Sequence, residues 1–393
     1  PIQTAFNTGA VSPRLWGRAD ITKYASGCEV CENFVAMAQG PAFRRSGFRY
    51  VADTESFADP VCLLPFEVSD EAAYTLSLAP LRMRFFTEEA QLLSAGVPLS
   101  IVTPYSADEL FEIQIAQSAD TLFMVQKNHP PQVLRRTGLA SFTIAPAVFF
   151  DGPWDKPNIT DTELSYIAAV EGDTITVTAT AAVFLAGRDE GRLLRLTSSV
   201  ITTTTFWGYG TILSVTSPTS VQVLIQRDVA LSTGTRNWRL GAWYPGNYPR
   251  AVTFDDQRLV FAADAANPSV AYLSVVDDFT NFTPTGDSNR AAPFGDVTNE
   301  VFETNGFRLE LSANQVNTIG WLASLKVLLE GTSRGLWQIQ SSSNLEPLTP
   351  VNAHARRSSE RGGAPVPPAI VDDAVVFVSP TRRKVFRGAF SLN

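Results

Sequence analysis

Residues 121–136, TLFMVQKNHPPQVLRR, contain the pattern from which the fold class is inferred. A run of strand-forming residues, Thr121–Gln126, leads into a short polar segment, Lys127–Pro131, and then into a second run, Gln132–Arg136. Apolar runs of strand length on either side of a turn are typical of a β-hairpin. This part of the chain therefore predicts two antiparallel strands.

The same outline of strand, turn and strand recurs in four other places. The paired runs are Cys62–Val68 with Tyr74–Leu78 (and Leu81–Phe86 as a third strand), Arg258–Ala262 with Val270–Val275, Lys326–Leu329 with Leu336–Gln340, and Ala374–Val378 with Lys384–Phe390. The hairpins that start at Lys326 and Ala374 are about 48 residues apart. The hairpins that start at Thr121 and Arg258 are about 47 residues apart once a separate block of about 90 residues between them is subtracted. An interval of this size is typical of propeller blades. The interval from Arg258 to Lys326, about 68 residues, requires an insertion.

The block set aside, about Ile159–Trp243, is the most uniformly strand-like part of the chain. Its strand-like runs are Asp173–Ala179, Leu193–Leu196, Thr211–Val215 and Val221–Ile225. Short strands at this spacing favour a small barrel or sandwich. Because the blade outline resumes beyond it, we interpret the block as an inserted domain.

The sequence thus predicts a mainly β fold, a β-propeller-like platform of repeated antiparallel hairpins with an inserted small β-barrel or sandwich domain. Its predicted parts are an N-terminal docking segment at 1–50, the first part of the platform at 51–153, the inserted β-domain at 154–245 and the second part of the platform at 246–393. Short helical turns are expected within Ile21–Ala38, at Thr87–Leu93 and at Ser106–Phe111.

Charge and cysteine content narrow the classes of function. A formal net charge of -8 argues against a protein that grips nucleic acid, because binding phosphates usually needs a basic face. A conduit remains compatible with it, since an acidic wall repels DNA. Three cysteines are too few for a disulfide framework, so we expect assembly in a reducing cytosol. We find no secretory signal and no apolar run near the ~18 residues that a membrane span needs.

The sequence motifs predict no catalytic, cofactor-binding or metal-binding residues. Gly331–Gly335 matches G-x-S-x-G, but the residues after it read as a strand, so a hairpin turn is favoured over a serine nucleophile. The pair Cys28 and Cys31 has C-x-x-C spacing without a second ligand pair, and His129 and His354 are interpreted as loop residues. The carboxylate doublets mark turns; they are Asp255-Asp256, Asp277-Asp278 and Asp372-Asp373.

Four basic clusters are candidates for contacts with other molecules. They are Arg44-Arg45, Arg135-Arg136, Arg356-Arg357 with Arg361, and Arg382-Arg383-Lys384. Each can contact a DNA backbone or pair with an acidic neighbour in an oligomer. The acidic total favours the second interpretation.

Several groups of residues, in the same order along nearly the whole chain, resemble the tail nozzle (tail tubular protein B) family of short-tailed phages. They are Gly9–Leu15 with Arg18–Asp20, Tyr24, Gly27-Cys28, Asn33-Phe34, Gly40 and Arg44–Gly47; Leu64–Phe66 with Tyr74; Gln117–Leu122; His129–Arg136; and Trp238–Trp243 with Tyr248-Pro249, Gln257–Leu259 and Phe279–Phe282. Members of this family often continue beyond the segment that matches Lys384–Phe390.

The resemblance implies a structural protein of the virion tail, assembled in the host cytoplasm, and no enzymatic activity. It implies a hexameric ring below the portal and adaptor that contacts tail fibre proteins and passes viral double-stranded DNA without reading its sequence. The alternative is a tail-associated protein that binds a receptor or degrades the cell wall. A wall-degrading enzyme needs an acid/base pair, and a fibre needs long repeats or heptads; the sequence offers neither.

Overall fold

A computed structural model describes residues 3–54, 58–69, 72–87, 90–199, 205–290, 298–312, 317–341 and 346–389. The fold is almost entirely β, with five propeller-like blades and one inserted seven-stranded sheet in these residues, which confirms the predicted fold class. The chain divides into two compact units, Pro1–Asp53 and Thr54–Asn393. No helix in the described residues is long and apolar enough to cross a membrane.

The described residues of the N-terminal unit form short elements and contribute to none of the hydrophobic cores. Strand Gly9–Ala10 pairs in parallel with Gly27–Cys28, and Phe34–Ala36 pairs antiparallel with Ala42–Arg44. Its 3-10 helices are Pro13–Leu15 and Thr22–Ser26, the second lying inside the segment predicted to hold a short helix. Among its described residues only Gly40 is buried, whereas large apolar side chains such as Phe48 and Tyr50 are exposed.

Five antiparallel sheets follow one another along the second unit, and we number them as blades 1 to 5. Blade 1 comprises Cys62–Ser69, Ala72–Ala79, Arg82–Phe86 and Ser100–Val102; blade 2, Gln114–Ser118, Thr121–Gln126, His129–Gly138 and Ser141–Pro146; blade 3, Ala251–Asp255, Arg258–Ala262, Val270–Leu273 and Phe307–Glu310; blade 4, Ile319–Ser324, Leu328–Thr332, Gly335–Gln340 and His354–Ser359; and blade 5, Ala369–Val371, Ala374–Val378 and Val385–Ala389. A small hairpin, Leu93–Ser94 with Val97–Pro98, and a 3-10 helix, Leu110–Glu112, lie between blades 1 and 2.

Apolar cores join successive blades. The alternation of each strand sends neighbouring side chains to opposite faces, so one strand serves two cores. In blade 4, for example, Leu328 packs towards blade 3, whereas Leu329 packs towards blade 5. Corresponding cores join blade 1 to blade 2 and blade 2 to blade 3.

Two local predictions are wrong. The turn predicted at Lys127–Pro131 is shorter, because the strand His129–Gly138 already includes both prolines. The two prolines lie opposite a β-bulge between Met124 and Gln126. The regular ladder of backbone hydrogen bonds is interrupted there, so the missing N–H groups of proline are tolerated. The helix predicted at Thr87–Leu93 is absent from its described part: Gln91 pairs with Phe86 and the Leu92 amide donates to the Phe85 carbonyl, so pairing with blade 1 replaces the helix. Glu88 and Glu89 lie outside the described residues.

The third predicted turn is stabilised as its sequence suggests. The Glu109 carboxylate accepts hydrogen bonds from the Ser106 amide at 2.9 Å and the Ser106 hydroxyl at 2.8 Å. The Leu110–Glu112 3-10 helix follows directly. Its local side-chain bonds to the backbone therefore fix the approach to blade 2.

The inserted domain is a nearly closed seven-stranded barrel between blades 2 and 3, which we call the barrel. Its strands are Leu164–Tyr166, Thr174–Ala179, Leu193–Ser199, Thr205–Ser217, Ser220–Arg227, Ser232–Thr235 and Trp238–Leu240. Alternate residues such as Val221, Val223 and Ile225 fill its core. A second insertion connects the third and fourth strands of blade 3 and explains the long interval between Arg258 and Lys326. We call its described residues, 274–290 and 298–306, the bridging loop.

Candidate functional site

The barrel meets the platform around one buried carboxylate, Asp151, which is 1% exposed. Arg195 donates from Nε to Oδ1 at 3.1 Å, and Arg227 donates from NH1 to Oδ2 at 3.3 Å. The indole of Trp154 donates to Oδ1 at 3.0 Å and to the Asp151 carbonyl at 2.9 Å. The carboxylate of the entering linker thus receives bonds from two strands of the barrel.

The arginines of this junction exceed their acidic partners. The Arg195 guanidinium, fully buried, lies over the Trp207 ring at 4.4 Å, and its NH1 has no hydrogen-bond partner in the described residues. Burial lowers the pKa of Arg195 to about 10; Asp151 opposes this effect, and the nearby Arg239 and Arg227 add to it. Removing charge from Asp151 would therefore leave several guanidinium groups without compensation.

The bridging loop closes over the junction from the platform side. Arg195 NH2 donates to the Thr285 hydroxyl at 3.2 Å, and Arg227 NH2 donates to the Asn289 carbonyl at 3.2 Å. At the base of the loop, Arg258 is 1% exposed and donates to the carbonyls of Ser274 (2.6 Å), Glu303 (2.6 Å), Thr304 (3.3 Å) and Asn305 (2.7 Å). Blade 3 thus fixes the loop, and the loop contacts the barrel.

A cavity of about 470 Å³, which we call the central pocket, lies where the first strands of blades 2 and 3 begin. Its lining residues are Phe111, Glu112, Gln114, Lys127, Arg250, Pro365, Val366, Val378 and Arg382. Gln114 donates from Nε2 to the Gly320 carbonyl of blade 4 at 2.7 Å. A Cβ on Gly320 would lie 3.0 Å from the Pro365 Cα, so the segment leading to blade 5 closes on the same point. The pocket therefore collects residues from blades 2, 3 and 5.

The charges that line the central pocket are mostly positive. Lys127 Nζ lies 3.0 Å from a Glu112 carboxylate oxygen, so these two groups balance each other. Arg250 and Arg382 form no ion pair with any described residue, and the Arg250 Nε is shielded from solvent without an acceptor there. The pocket lining therefore carries two positive charges without acidic partners in the described residues, although the net charge of the chain is -8.

Glu330, in blade 4, is a buried acid of a different kind. It is fully covered, and neither carboxylate oxygen accepts a hydrogen bond in the described residues. Its cross-strand neighbours are Leu322 and Trp337, both part of the core between blades 3 and 4. Burial raises the pKa of Glu330 to about 8. The group is therefore mainly protonated in the folded protein at neutral pH.

The G-x-S-x-G match is a hairpin turn, as predicted. Gly331 lies in the strand Leu328–Thr332, and Gly335 begins the next strand. A Cβ on Gly331 would lie 1.9 Å from the Trp321 ring, and one on Gly335 would lie 2.8 Å from the Ser359 carbonyl oxygen. Both glycines are thus required by packing, and the exposed Ser333 has a strand on each side.

The carboxylate doublets also lie at turns. Asp256, Asp277 and Asp372 have positive φ angles of 42°, 60° and 53°, a conformation that Asp tolerates better than most residues. The first doublet also includes a buried acid: burial raises the pKa of Asp255 to about 6, with a contribution from Asp256, while a hydrogen bond from Ser324 opposes the shift.

The cysteines and histidines of the described residues do not come together to form a shared site. Cys28, Cys31 and Cys62 are free thiols, and the pKa of Cys28 is raised by burial and by its hydrogen bond with Cys31. His129 Nε2 lies 3.0 Å from Glu109, and His354 begins the last strand of blade 4. In the described residues no three His, Cys, Asp or Glu side chains are grouped to hold a metal ion.

The four predicted basic clusters lie in different surroundings and do not form one basic surface in the described contacts. Arg136 pairs with Asp120 at 2.7 Å within blade 2, and Arg357 lies 3.3 Å from Glu360. Arg45 lies over the Phe48 ring at 4.3 Å. Arg382 alone among the clustered residues lines the central pocket. Sequence reasoning missed Arg250 and the Asp151 junction, because their significance comes from residues far apart in the chain.

Comparisons with known proteins do not assign the chain to a family. No protein-family model matches the chain, and no curated protein matches it. Among solved structures it is similar to the extracellular domains 1-2 of Drosophila Semaphorin 1a, with a TM-score of 0.24 and 11% sequence identity, over 84% of this chain and 86% of that chain. A TM-score this low carries no argument about fold or function.

Proposed function

We propose that this chain is a structural subunit of the virion tail of a short-tailed phage and forms the nozzle ring below the portal and adaptor. In this proposal the ring is a hexamer, contacts tail fibre proteins, and serves as a conduit for viral DNA without sequence-specific binding. The subunit is not an enzyme and assembles in the host cytoplasm before it enters the particle.

The observation that carries the proposal is the position of the family-like segments on the fold. Leu64–Phe66 and Tyr74 meet in blade 1, where the rings of Phe66 and Tyr74 are 6.1 Å apart. Trp238–Trp243 forms the last barrel strand and the returning linker, and Gln257–Leu259 includes the Arg258 that fixes the bridging loop. Residues that carry the resemblance therefore hold the blades together and attach the barrel, as expected of a shared framework.

The distribution of charge supports the conduit role. Residues 1–53 contain six Lys or Arg and four Asp or Glu, a net charge of +2, so the remainder of the chain carries -10. An acidic platform repels phosphate and lets DNA slide past. The basic N-terminal unit, with its exposed apolar side chains, suits attachment to another protein of the tail.

Electron microscopy of intact particles tests the proposal directly. Five blades with a seven-stranded barrel inserted between the second and third are recognisable in a map at side-chain detail. We expect six copies in a ring below the portal, with a neutral or negative potential on the lumen wall. A chain located on peripheral fibres, as a receptor-binding or wall-degrading protein would be, overturns the proposal.

A further inference from the structure

We propose that the central pocket binds a phosphate monoester carried on an apolar or aromatic body, such as a nucleoside monophosphate. This inference rests on the pocket itself and does not depend on the function proposed above. It follows from the unpaired cations of the pocket, from the amount of charge they present, and from the apolar surface beside them.

The cations come from two elements that the fold brings together. Arg250 directly precedes the first strand of blade 3, and Arg382 lies in the turn between the last two strands of blade 5. Neither has an acidic partner in the described part of the chain. The Arg250 Nε is withheld from solvent without an acceptor there, although burying a polar group without a hydrogen bond is unfavourable. A bound oxyanion would supply that acceptor.

The net charge of the pocket lining indicates which class of oxyanion it would bind best. Glu112 and Lys127 balance each other, so the lining carries a net charge of +2. A phosphate monoester carries about -1.5 to -2 at pH 7 and offers three acceptor oxygens. A single carboxylate would neutralise only half of the site. Guanidinium groups also match phosphate geometry through paired N–H donors.

The remaining walls fit an apolar or flat body attached to the phosphate. Pro365, Val366 and Val378 form one apolar side of the pocket. Phe111, which is 66% exposed, offers a free aromatic ring of the kind on which nucleic-acid bases stack. The volume of about 470 Å³ lies within the range of small-molecule sites. Gln114 is already committed to Gly320 and so acts as a wall.

Titration calorimetry of the full chain with adenosine monophosphate, adenosine and inorganic phosphate tests the inference. We expect the monophosphate to bind, inorganic phosphate to bind at least ten-fold more weakly, and adenosine to give no detectable heat. Benzoate, which combines a ring with a single carboxylate, should also bind at least ten-fold more weakly. The affinity for the monophosphate should fall as salt concentration rises.

Matched variants locate the site. Arg250→Gln and Arg382→Gln should each weaken adenosine monophosphate binding at least ten-fold. Arg383→Gln removes the adjacent charge outside the pocket and should change the affinity less than two-fold. If Arg250→Gln fails to fold, Arg382→Gln, in an exposed turn, decides the matter. Absence of monophosphate binding at millimolar concentration, equal binding of adenosine, or equal effects of Arg382→Gln and Arg383→Gln would overturn the assignment.

Discussion

Asp151, at the junction between barrel and platform, and Glu330, at the interface between blades 3 and 4, are both buried carboxyl groups, but their surroundings differ. Asp151 is surrounded by donors from Arg195, Arg227 and Trp154. Glu330 lies among apolar side chains, with no donor to either oxygen in the described residues. The comparison shows that the same fold buries one carboxylate with charged partners and one carboxyl group without them, and the two should respond differently to loss of charge.

The largest effect should come from removing the charge at the junction. Asp151→Asn keeps the shape of the side chain but leaves buried arginines without a counter-charge. We expect the free energy of unfolding to fall by about 3 to 5 kcal/mol. Urea denaturation of parent and variant at pH 7 measures the change.

The control for this variant is Asp161→Asn, close to the first strand of the barrel. Asp161 pairs with Arg236, but its side chain is 93% exposed. A change below about 0.5 kcal/mol is expected there, since exposed ion pairs contribute little. Equal losses in the two variants would show that Asp151 is not a special connection.

A pH-dependent effect should appear at Glu330. Its folded pKa of about 8 lies above the ordinary value of 4.5, so the folded protein binds more protons than the unfolded chain between these pH values. Glu330 should therefore contribute a loss of stability to the parent as pH rises from 4.5 to 8, and this contribution is missing in Glu330→Gln, so the difference between the two proteins isolates it from other titrating groups such as Asp255. Each pKa unit corresponds to about 1.4 kcal/mol, and water entering beside the ionised group reduces the full value.

We accordingly expect Glu330→Gln to equal the parent at pH 4.5 and to be more stable by about 3 kcal/mol at pH 8. Denaturation curves across this range provide the measurement, and Glu360→Gln, whose side chain is 86% exposed, provides the control. A constant difference between parent and Glu330→Gln at all pH values would mean that Glu330 is not protonated in the folded state.

The smallest effect should come from the hydrogen bond between Arg195 and the bridging loop. Thr285→Val removes the hydroxyl that accepts from Arg195 NH2 and should lower the free energy of unfolding by about 1 kcal/mol. Thr174→Val, on the exposed face of a barrel strand, makes the same chemical change without that bond. If the two variants are equally stable, the hydrogen bond between Arg195 and Thr285 contributes nothing measurable to the junction.

The sequence allowed prediction of the strands because their signal is local. Alternation in runs such as Thr174–Ala179 and the turn residues between them suffice to predict hairpins and an inserted β-domain, but they do not distinguish a barrel from a sandwich. The helix predicted at Thr87–Leu93 is wrong because pairing with a neighbouring strand overrides a weak helical preference.

The buried charges could not be predicted in the same way. Asp151 was visible only as part of a linker, and its arginine partners come from two separate strands of the barrel. Arg250 is an isolated charge in the sequence and becomes notable only beside Arg382. Glu330 follows a predicted strand, and one signal existed: it is the single charge inside the otherwise uncharged run Val327–Gly331.

The barrel leaves and rejoins the platform at a single place. Trp154 and Gly241 form a β-bridge, the Ala242 amide donates to the Pro153 carbonyl at 2.9 Å, and the Asp155 amide donates to the Leu240 carbonyl at 2.9 Å. A short turn can therefore join residue 154 to residue 241 with the order of the blades unchanged. The path of the blades is therefore independent of the length of chain inserted between these two residues, and what ties the barrel to the platform is the set of side-chain contacts around Asp151.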